Sequence, residues 1–163
     1  MSKVLIVGGA GYVGGWFTDE SIREGHEVRV LDNLTYEDAY LKDVDFVFGD
    51  LLEFDTIKPH LKWADTVIWL AALVGDPACA INPKLTKDTN VESVRKLVQN
   101  FDGRIVFPST CSVYGAQDGV LNESSSTGPL SLYAESKLEA EEILLGSKAS
   151  PLIFRLGTLF GLS

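Results

Sequence analysis

The stretch Lys3-Val4-Leu5-Ile6-Val7-Gly8-Gly9-Ala10-Gly11-Tyr12-Val13-Gly14 decides the fold of this chain. An apolar run of strand length leads into glycines, and a segment with helical spacing follows. Gly9, Gly11 and Gly14 fit the pattern G-x-G-x-x-G, while Gly8, Gly11 and Gly14 fit G-x-x-G-x-x-G. Glycines let the backbone turn tightly and approach a pyrophosphate, which the free N–H groups of the helix N-terminus then bind. The flanking strand and helix favour a dinucleotide site over a tight turn that binds nothing.

An acidic residue stands where such a site needs one. Asp32 ends the next predicted strand, 18 residues after Gly14. An acid at about 20 residues accepts hydrogen bonds from the adenosine ribose, and its charge repels a 2′-phosphate. No arginine follows at once, so the sequence favours NAD over NADP as the cofactor. The alternative is an aspartate that only caps a turn at the end of its strand.

The rest of the chain alternates strands and helices. The predicted strands are rich in Val, Ile, Leu and Phe: Lys3–Val7, Glu27–Leu31, Asp45–Phe48, Thr66–Leu70, Arg104–Pro108 and Leu152–Arg155. The predicted helices are Tyr12–Glu24, Glu53–Leu61, Pro83–Asn100 and Leu132–Leu145. This pattern predicts a doubly wound α/β fold with a parallel sheet. With the glycine motif added, the expected architecture is a Rossmann sheet of strand order 3-2-1-4-5-6. The polar segment Gly115–Ser131 predicts a long loop near the site.

Composition excludes several classes of protein. The chain has 163 residues, of which 45% are hydrophobic, and a net charge of −9. These values indicate one globular domain and disfavour nucleic acid or an anionic membrane as a partner. No signal peptide or membrane-spanning run is visible, so a cytoplasmic location with reduced Cys79 and Cys111 is expected. No metal-ligand spacing is present, and His26 and His60 are predicted to be surface residues.

A tyrosine and a lysine share one face of the last predicted helix. Tyr133 and Lys137 are four residues apart in Tyr-Ala-Glu-Ser-Lys. A free tyrosine is a poor base at neutral pH, but a neighbouring ammonium and an oxidised nicotinamide would lower its pKa. By itself this pattern is more often a surface pair; beside a dinucleotide motif it predicts a catalytic pair.

A hydroxyl-rich turn follows the fifth predicted strand at Ser109–Gly115. Ligands of open α/β sheets bind at the carboxyl ends of strands, where a hydroxyl could polarise a substrate carbonyl or alcohol. The alternative is a Ser/Thr-rich turn without a chemical role.

Taken together, these motifs resemble the extended short-chain dehydrogenase/reductase superfamily, in its NAD-dependent epimerase/dehydratase branch. The resemblance covers almost the whole chain and includes the glycine motif, Gly49-Asp50-Leu51, Leu70-Ala71-Ala72 and the turn before Tyr114-Gly115. It implies that Thr110, Tyr133 and Lys137 form a catalytic triad. It also implies NAD contacts at Gly8, Gly11, Tyr12, Val13, Gly14, Asp32, Asn33, Asp50, Leu51, Leu70, Ala71, Ala72, Asn90, Tyr133 and Lys137.

The resemblance further implies an enzyme that epimerises or reduces a nucleotide sugar, as a homodimer through helices Pro83–Asn100 and Leu132–Leu145. Residues 1–163 are expected to be the NAD-binding Rossmann domain, with a substrate-binding lobe expected after residue 163. Two alternatives stay open: a dinucleotide-binding module without catalysis, and a scaffold that uses the pocket for protein contacts.

The chain also departs from the family pattern. Cys111 and Ser112 stand where 4,6-dehydratases carry an Asp-Glu pair, which disfavours dehydration by that route. Cys111 is expected to be a buried, inert thiol. Thr158 replaces an asparagine that contacts substrate, and Val74–Cys79 predicts either a pocket lining or a turn at Asp76-Pro77.

Overall fold

One parallel sheet organises residues 1–161, the part of the chain that the computed structural model describes. Its six strands are β1 (Lys3–Val7), β2 (Glu27–Asp32), β3 (Asp45–Phe48), β4 (Thr66–Trp69), β5 (Arg104–Thr110) and β6 (Ser150–Leu156). They lie in the order β3-β2-β1-β4-β5-β6, and every neighbouring pair is parallel. The predicted Rossmann order is confirmed, and it places a crevice at the carboxyl ends of β1 and β4.

Helices cover the sheet on both faces. They are α1 (Tyr12–Arg23), α2 (Phe54–Trp63), α3 (Asp76–Ile81), α4 (Pro83–Lys87), α5 (Ser93–Asn100) and α6 (Leu132–Leu145). One core cluster gathers Leu5, Val7, Trp69 and Phe107 of the sheet with Leu97 of α5 and other buried residues. The opposite face buries a smaller cluster around Ile6, Val30 and Ile68. The central strands are therefore apolar on both faces, which explains their unbroken Val, Ile and Leu runs.

The segment after β4 differs from the prediction. A single helix was predicted over 83–100, but a π turn at Asp88–Glu92 separates α4 from α5. A further helix, α3, covers part of the stretch for which a simple turn was one alternative. Proline is tolerated in the first turn of a helix, so Pro77 and Pro83 start helices here instead of ending them. A π turn inserts one residue into a helix without ending the helix. The spacing of apolar residues therefore predicts one continuous helix across such a turn.

Two glycines of the motif are required by the packing of the fold itself. Gly8 has φ +83°, and a Cβ on it would lie 2.5 Å from the backbone nitrogen of Ala71. A Cβ on Gly14 would lie 2.5 Å from the Cα of Gly9. The backbone of the glycine loop therefore lies directly against Ala71, just after β4, and Gly14 in the first turn of α1 lies directly against the backbone of the loop at Gly9.

Within residues 1–161, no helix is both long enough and apolar enough to cross a membrane.

The close approach at Gly8 predicts an unequal response to alanine at two left-handed glycines. Gly25 has φ +76° and nothing within 4 Å of an added Cβ, so Gly25→Ala should cost about 1 kcal/mol from backbone conformation alone. Gly8→Ala adds a clash with the Ala71 backbone, and should lower the free energy of unfolding by about 3 kcal/mol or more. Urea denaturation followed by circular dichroism measures both; equal losses would contradict the packing described.

Candidate active site

The glycine loop and the segment after β4 lie side by side at the crevice. The N–H of Gly8 donates to the Leu31 carbonyl at 2.7 Å, while Leu70 and Ala71 N–H groups donate to the Val7 carbonyl at 2.8 and 2.9 Å. Strand β1 is thereby joined through its end to both neighbouring strands. The structure brings together the predicted loop residues and Leu70-Ala71-Ala72, as the sequence expects.

Gly11 stands apart from the other glycines of the motif. It is the exposed N-cap of α1, and a Cβ built on it would meet only the Gly8 carbonyl oxygen, at an ordinary 3.7 Å. Packing within the described residues therefore gives no reason for a glycine at this position. An anion that lies against the helix N-terminus would give one, because its approach requires a bare backbone.

Asp32 caps a turn, which is one of the two alternatives that the sequence left open, and it also bonds to the glycine loop. Its Oδ1 accepts from the N–H of Leu34 at 2.8 Å and so caps the turn after β2. Its Oδ2 accepts from the N–H of Ala10 at 3.0 Å and so fixes the glycine loop. Each carboxylate oxygen has a further acceptor site, so the capping contacts leave room for a ribose hydroxyl.

A second pair of polar residues closes the side of the site at β2 and β3. The side-chain amide of Asn33 donates to Asp50 Oδ2 at 3.1 Å, and Asp50 Oδ1 accepts from the N–H of Leu52 at 2.8 Å. Leu51 between them is buried. Asn33 and Asp50 are therefore joined beyond the carboxyl ends of β2 and β3, while Leu51 packs in the core.

Asn90 is buried within the π turn. Its Oδ1 accepts from the N–H of Leu73 at 2.8 Å, and its Nδ2 donates to the Leu73 carbonyl at 2.9 Å and to Ser136 Oγ at 3.0 Å. Both amide hydrogens are thus donated to the protein. Asn90 therefore ties the segment after β4 to α6. π turns recur at functional sites.

Thr110, Tyr133 and Lys137 converge on one cleft beside the crevice. The cleft holds about 240 Å³ and is lined by Val13, Leu70, Ala72, Val74, Pro108, Ser109, Thr110, Tyr133, Lys137, Leu156, Gly157 and Leu159. Val13 and Ala72 also flank the glycine loop, so the cleft opens directly onto the crevice. The three predicted catalytic side chains therefore share one space.

Thr110 ends β5 and caps the 3₁₀ turn Cys111–Tyr114. Its Oγ1 accepts from the N–H of Ser112 and donates to Ser112 Oγ, both at 3.1 Å. The second hydroxyl was not predicted to interact with Thr110. The sequence carries a signal for this contact, because Thr110 and Ser112 are two residues apart at the end of a strand, a spacing typical of Ser/Thr turn capping.

The protein's own residues disfavour the phenolate of Tyr133. The sequence predicts that Lys137 and an oxidised nicotinamide together lower the pKa of this phenol. Burial acts in the opposite direction and raises the pKa of Tyr133, and Cys79, Asp76 and Cys111 raise it further. Lys137 is 4% exposed, with Nζ 3.9 Å from the centroid of the Phe107 ring. Burial lowers the pKa of Lys137 to about 7, against the opposing effect of Glu141. Sequence spacing places two groups on one helix face but carries no information about how deeply each is desolvated.

Cys111 is exposed, so the expectation of a buried, inert thiol is wrong. It begins the 3₁₀ turn, where the chain has left the sheet and its alternation of buried positions. Cys79 is buried on α3, and its thiol donates to the Leu73 carbonyl at 3.4 Å. Burial raises the pKa of Cys79. The two thiols of the chain therefore have opposite environments, and only that of Cys111 is open to solvent.

A buried ionic cluster behind the cleft was missed by sequence reasoning. Glu141 is 2% exposed and accepts from Ser109 Oγ and from Nη2 of Arg155, the latter at 2.7 Å. Arg155 faces Ser109 across the β5–β6 register and packs over the Tyr114 ring at 4.9 Å. The sequence pattern that could have revealed Glu141 is its position on α6. Glu141 follows Lys137 by four residues, as Lys137 follows Tyr133, so all three lie on one face of the helix.

The histidines are half-buried rather than surface residues. His26 Nδ1 accepts from the N–H of Ser2 at 3.3 Å, and His60 Nδ1 lies 3.1 Å from Arg29 Nη1. Burial, followed by the charge of Arg29, lowers the pKa of His60. No group of His, Cys, Asp and Glu in the part of the chain described here could hold a metal ion.

Comparisons with known proteins agree with this geometry. The model of the "NAD dependent epimerase/dehydratase family" matches residues 4–163. The chain is 30% identical to the UDP-glucose 4-epimerase of Streptomyces lividans over 158 residues, which are 91% of this chain and 48% of that protein. It is 30% identical over 152 residues to UDP-glucuronic acid decarboxylase 1 of Danio rerio, covering 85% of this chain and 36% of that one.

Solved structures give the same result. UDP-glucose 4-epimerase from Brucella ovis in complex with NAD superposes with a TM-score of 0.87 at 25% identity, covering 95% of this chain and 51% of that one. MoeE5 in complex with UDP-glucuronic acid and NAD superposes with a TM-score of 0.83 at 29% identity, covering 94% and 54%. The chain thus spans about half the length of these proteins, or less.

The charges around Tyr133 predict how its titration responds to one substitution. Asp76 is one of the groups that raise the pKa of Tyr133, because a nearby negative charge disfavours the phenolate. Asp76→Asn should therefore lower the pKa of Tyr133. The measurement is a ¹³C NMR titration of labelled tyrosine, with the Tyr133 signal assigned by its loss in Tyr133→Phe. Asp118→Asn, in the loop before α6, is the control and should leave the midpoint in place. An unchanged midpoint in Asp76→Asn would show that this carboxylate does not act on the phenol.

Proposed function

This chain belongs to the NAD-dependent epimerase/dehydratase family, and on that premise we propose that it binds NAD and acts on a nucleotide sugar. The observation that carries the proposal is the shared cleft, where Thr110, Tyr133 and Lys137 meet residues that flank the glycine loop. A dinucleotide laid along the crevice would bring its reactive end to that cleft.

The residues present fit such a cofactor. The N–H groups at the start of α1 would bind the pyrophosphate beside the bare backbone of Gly11, and Asp32 would accept from the adenosine ribose. Asn33, Asp50 and Leu51 would flank the adenine, while Leu70, Ala71 and Ala72 would pass beside the pyrophosphate and ribose. Lys137 would hold the nicotinamide ribose. When bound, NAD would supply a hydride acceptor next to the cleft.

The chain's own groups would then handle the proton. Tyr133 would remove the proton of a sugar hydroxyl as its carbon loses hydride, and Thr110 would donate a hydrogen bond to the same oxygen. The described burial raises the pKa of Tyr133, so a positive charge close to the phenol is needed before it acts as a base near neutral pH. The ammonium of Lys137 is the cation that α6 places one turn away.

The proposal assigns residues 1–163 to the cofactor-binding half of the enzyme. The relatives are about twice as long or more, so a substrate-binding lobe in further polypeptide is part of the proposal. The identities of the relatives support UDP-sugars as the first substrates to test.

We also propose that two copies associate through the pair of helices α5 and α6. The exposed residues of α5 and α6 are polar apart from one leucine: Lys96, Gln99, Asn100, Glu135, Glu142 and Leu145. Arg95 of α5 also pairs with Glu139 of α6 at 3.4 Å, so an interface through these two helices would be largely polar.

Gly11 gives a sharp test of cofactor binding. Gly11→Ala should change the free energy of unfolding by no more than about 1 kcal/mol, because an added Cβ meets no close neighbour. It should weaken NAD binding about tenfold or more, since the methyl group would occupy the approach of the pyrophosphate. Gly15→Ala is the matched control on the same helix, where an added Cβ would make ordinary contact with Lys42 at 3.5 Å. Isothermal titration calorimetry with NAD measures both, and equal affinities in the two variants would refute the placement of the pyrophosphate.

Tyr133 tests the chemistry separately from binding. Tyr133→Phe should lower turnover of a UDP-sugar by about 10²–10⁴-fold while NAD affinity stays nearly unchanged, because only the proton acceptor is removed. Tyr36→Phe, at a site with 77% exposure, is the control. The assay uses the protein together with its substrate-binding lobe: interconversion of NAD and NADH is followed by absorbance, and the epimerised or reduced sugar by chromatography. Retained turnover in Tyr133→Phe would exclude this role, and NAD binding without turnover by that unaltered protein would favour the alternative of a non-catalytic module.

A further inference from the structure

One face of α6 carries three functional side chains at successive turns: Tyr133, Lys137 and Glu141. Lys137 and Glu141 are both buried, at 4% and 2% exposure. Burial of either charge is costly unless an opposite charge or hydrogen bonds compensate for it. A buried ammonium at the cleft therefore needs a compensating group, and the helix supplies a carboxylate one turn further on.

The carboxylate of Glu141 is itself fixed in place. Nε of Arg155 donates to both of its oxygens at 3.2 and 3.1 Å, Nη2 donates to Oε2 at 2.7 Å, and Ser109 Oγ donates to Oε1. Ser109 lies in β5 next to Thr110, and Arg155 lies opposite Ser109 in β6. These charge-assisted bonds hold α6 against the ends of β5 and β6.

Lys137 is surrounded mainly by groups that do not compensate its charge. Its Nζ packs over the ring of Phe107, two residues before Ser109 on the same face of β5. The titratable groups on the elements around this site are Asp76 and Cys79 of α3, Cys111 and Tyr114 of the 3₁₀ turn, Arg155 of β6, and Tyr133 and Glu141 of α6. Of these, Glu141 is the group whose charge acts on Lys137, in the direction that favours the ammonium.

We infer that Glu141 is a positioning residue of this site: it keeps the buried Lys137 charged and holds α6 so that this charge stays beside Tyr133. Arg155 and Ser109 serve this role indirectly by orienting the carboxylate. The inference rests on the proposed function in one respect: the charge of Lys137 serves catalysis only if the chain is part of the proposed enzyme.

The titration of Lys137 tests this role directly. Burial lowers the pKa of Lys137 to about 7, while Glu141 opposes that effect. Glu141→Gln should therefore move the midpoint downward by about one unit or more. A role limited to holding the helix predicts the opposite direction, because a loosened α6 would hydrate Lys137 and return its midpoint toward the ordinary 10.5.

The experiment is a ¹³C NMR titration of the chain labelled at lysine Cε, with Lys137 assigned by its missing signal in Lys137→Arg. Glu139→Gln is the matched control on the same helix, since Glu139 is half-exposed and paired with Arg95; its midpoint should stay at the wild-type value. If Glu141→Gln does not fold, adding Arg155→Met removes the guanidinium that Glu141→Gln leaves unpaired. The Lys137 midpoint should still fall, but by less, because a positive charge is lost together with the negative one. A midpoint that is unchanged or rises in the folded variant would overturn the inference.

NAD binding, measured on the same samples by calorimetry, separates this inference from the proposed function. Loss of the proposed function would appear as no NAD binding by the wild-type chain, whatever the Lys137 midpoint does. Failure of the inference would appear as an unshifted or raised midpoint in a chain that still binds NAD.

Discussion

The contact on which the structure depends is the one between the glycine loop and the end of β4. The backbone of Gly8 lies so near Ala71 that a single methyl group would overlap it. This approach joins β1, β4 and the start of α1 in one rigid corner. Because the corner stands where the strand order reverses, it also creates the crevice in which a ligand can lie.

The groups of the site are organised from this corner. Asp32 of β2 fixes the loop from one side, and Asn90 fixes the segment after β4 from the other. Asn90 also bonds to Ser136 of α6, so the helix that carries Tyr133 and Lys137 is tied to the same corner. The glycine loop and the helix that lines the cleft are therefore connected by partly or fully buried hydrogen bonds, which compete less with water than exposed ones do.

The structure also buries several charged side chains. A chain with a net charge of −9 still hides Lys137, Glu141 and most of Arg155 behind the cleft. Apolar residues of similar volume would often be at least as stable in such positions. Their presence beside Thr110 and Tyr133 is consistent with the proposed proton transfer, since desolvated titratable groups are a means by which proteins adjust pKa values.

Local pattern determined the sheet, its strand order, the glycine loop, Asp32 and the pair on α6, because these follow from backbone sterics and from periodicities of two and about 3.6 residues. Tertiary structure alone decided the π turn that buries Asn90, the exposure of Cys111, the raised pKa of Tyr133 and the contact of Glu141 with Arg155 and Ser109. Each of these depends on what a distant segment brings alongside: Asn90 and Leu73 are 17 residues apart, and Ser109 and Glu141 are 32. Burial and electrostatics are properties of such assembled neighbourhoods, so no reading of a single segment could supply them.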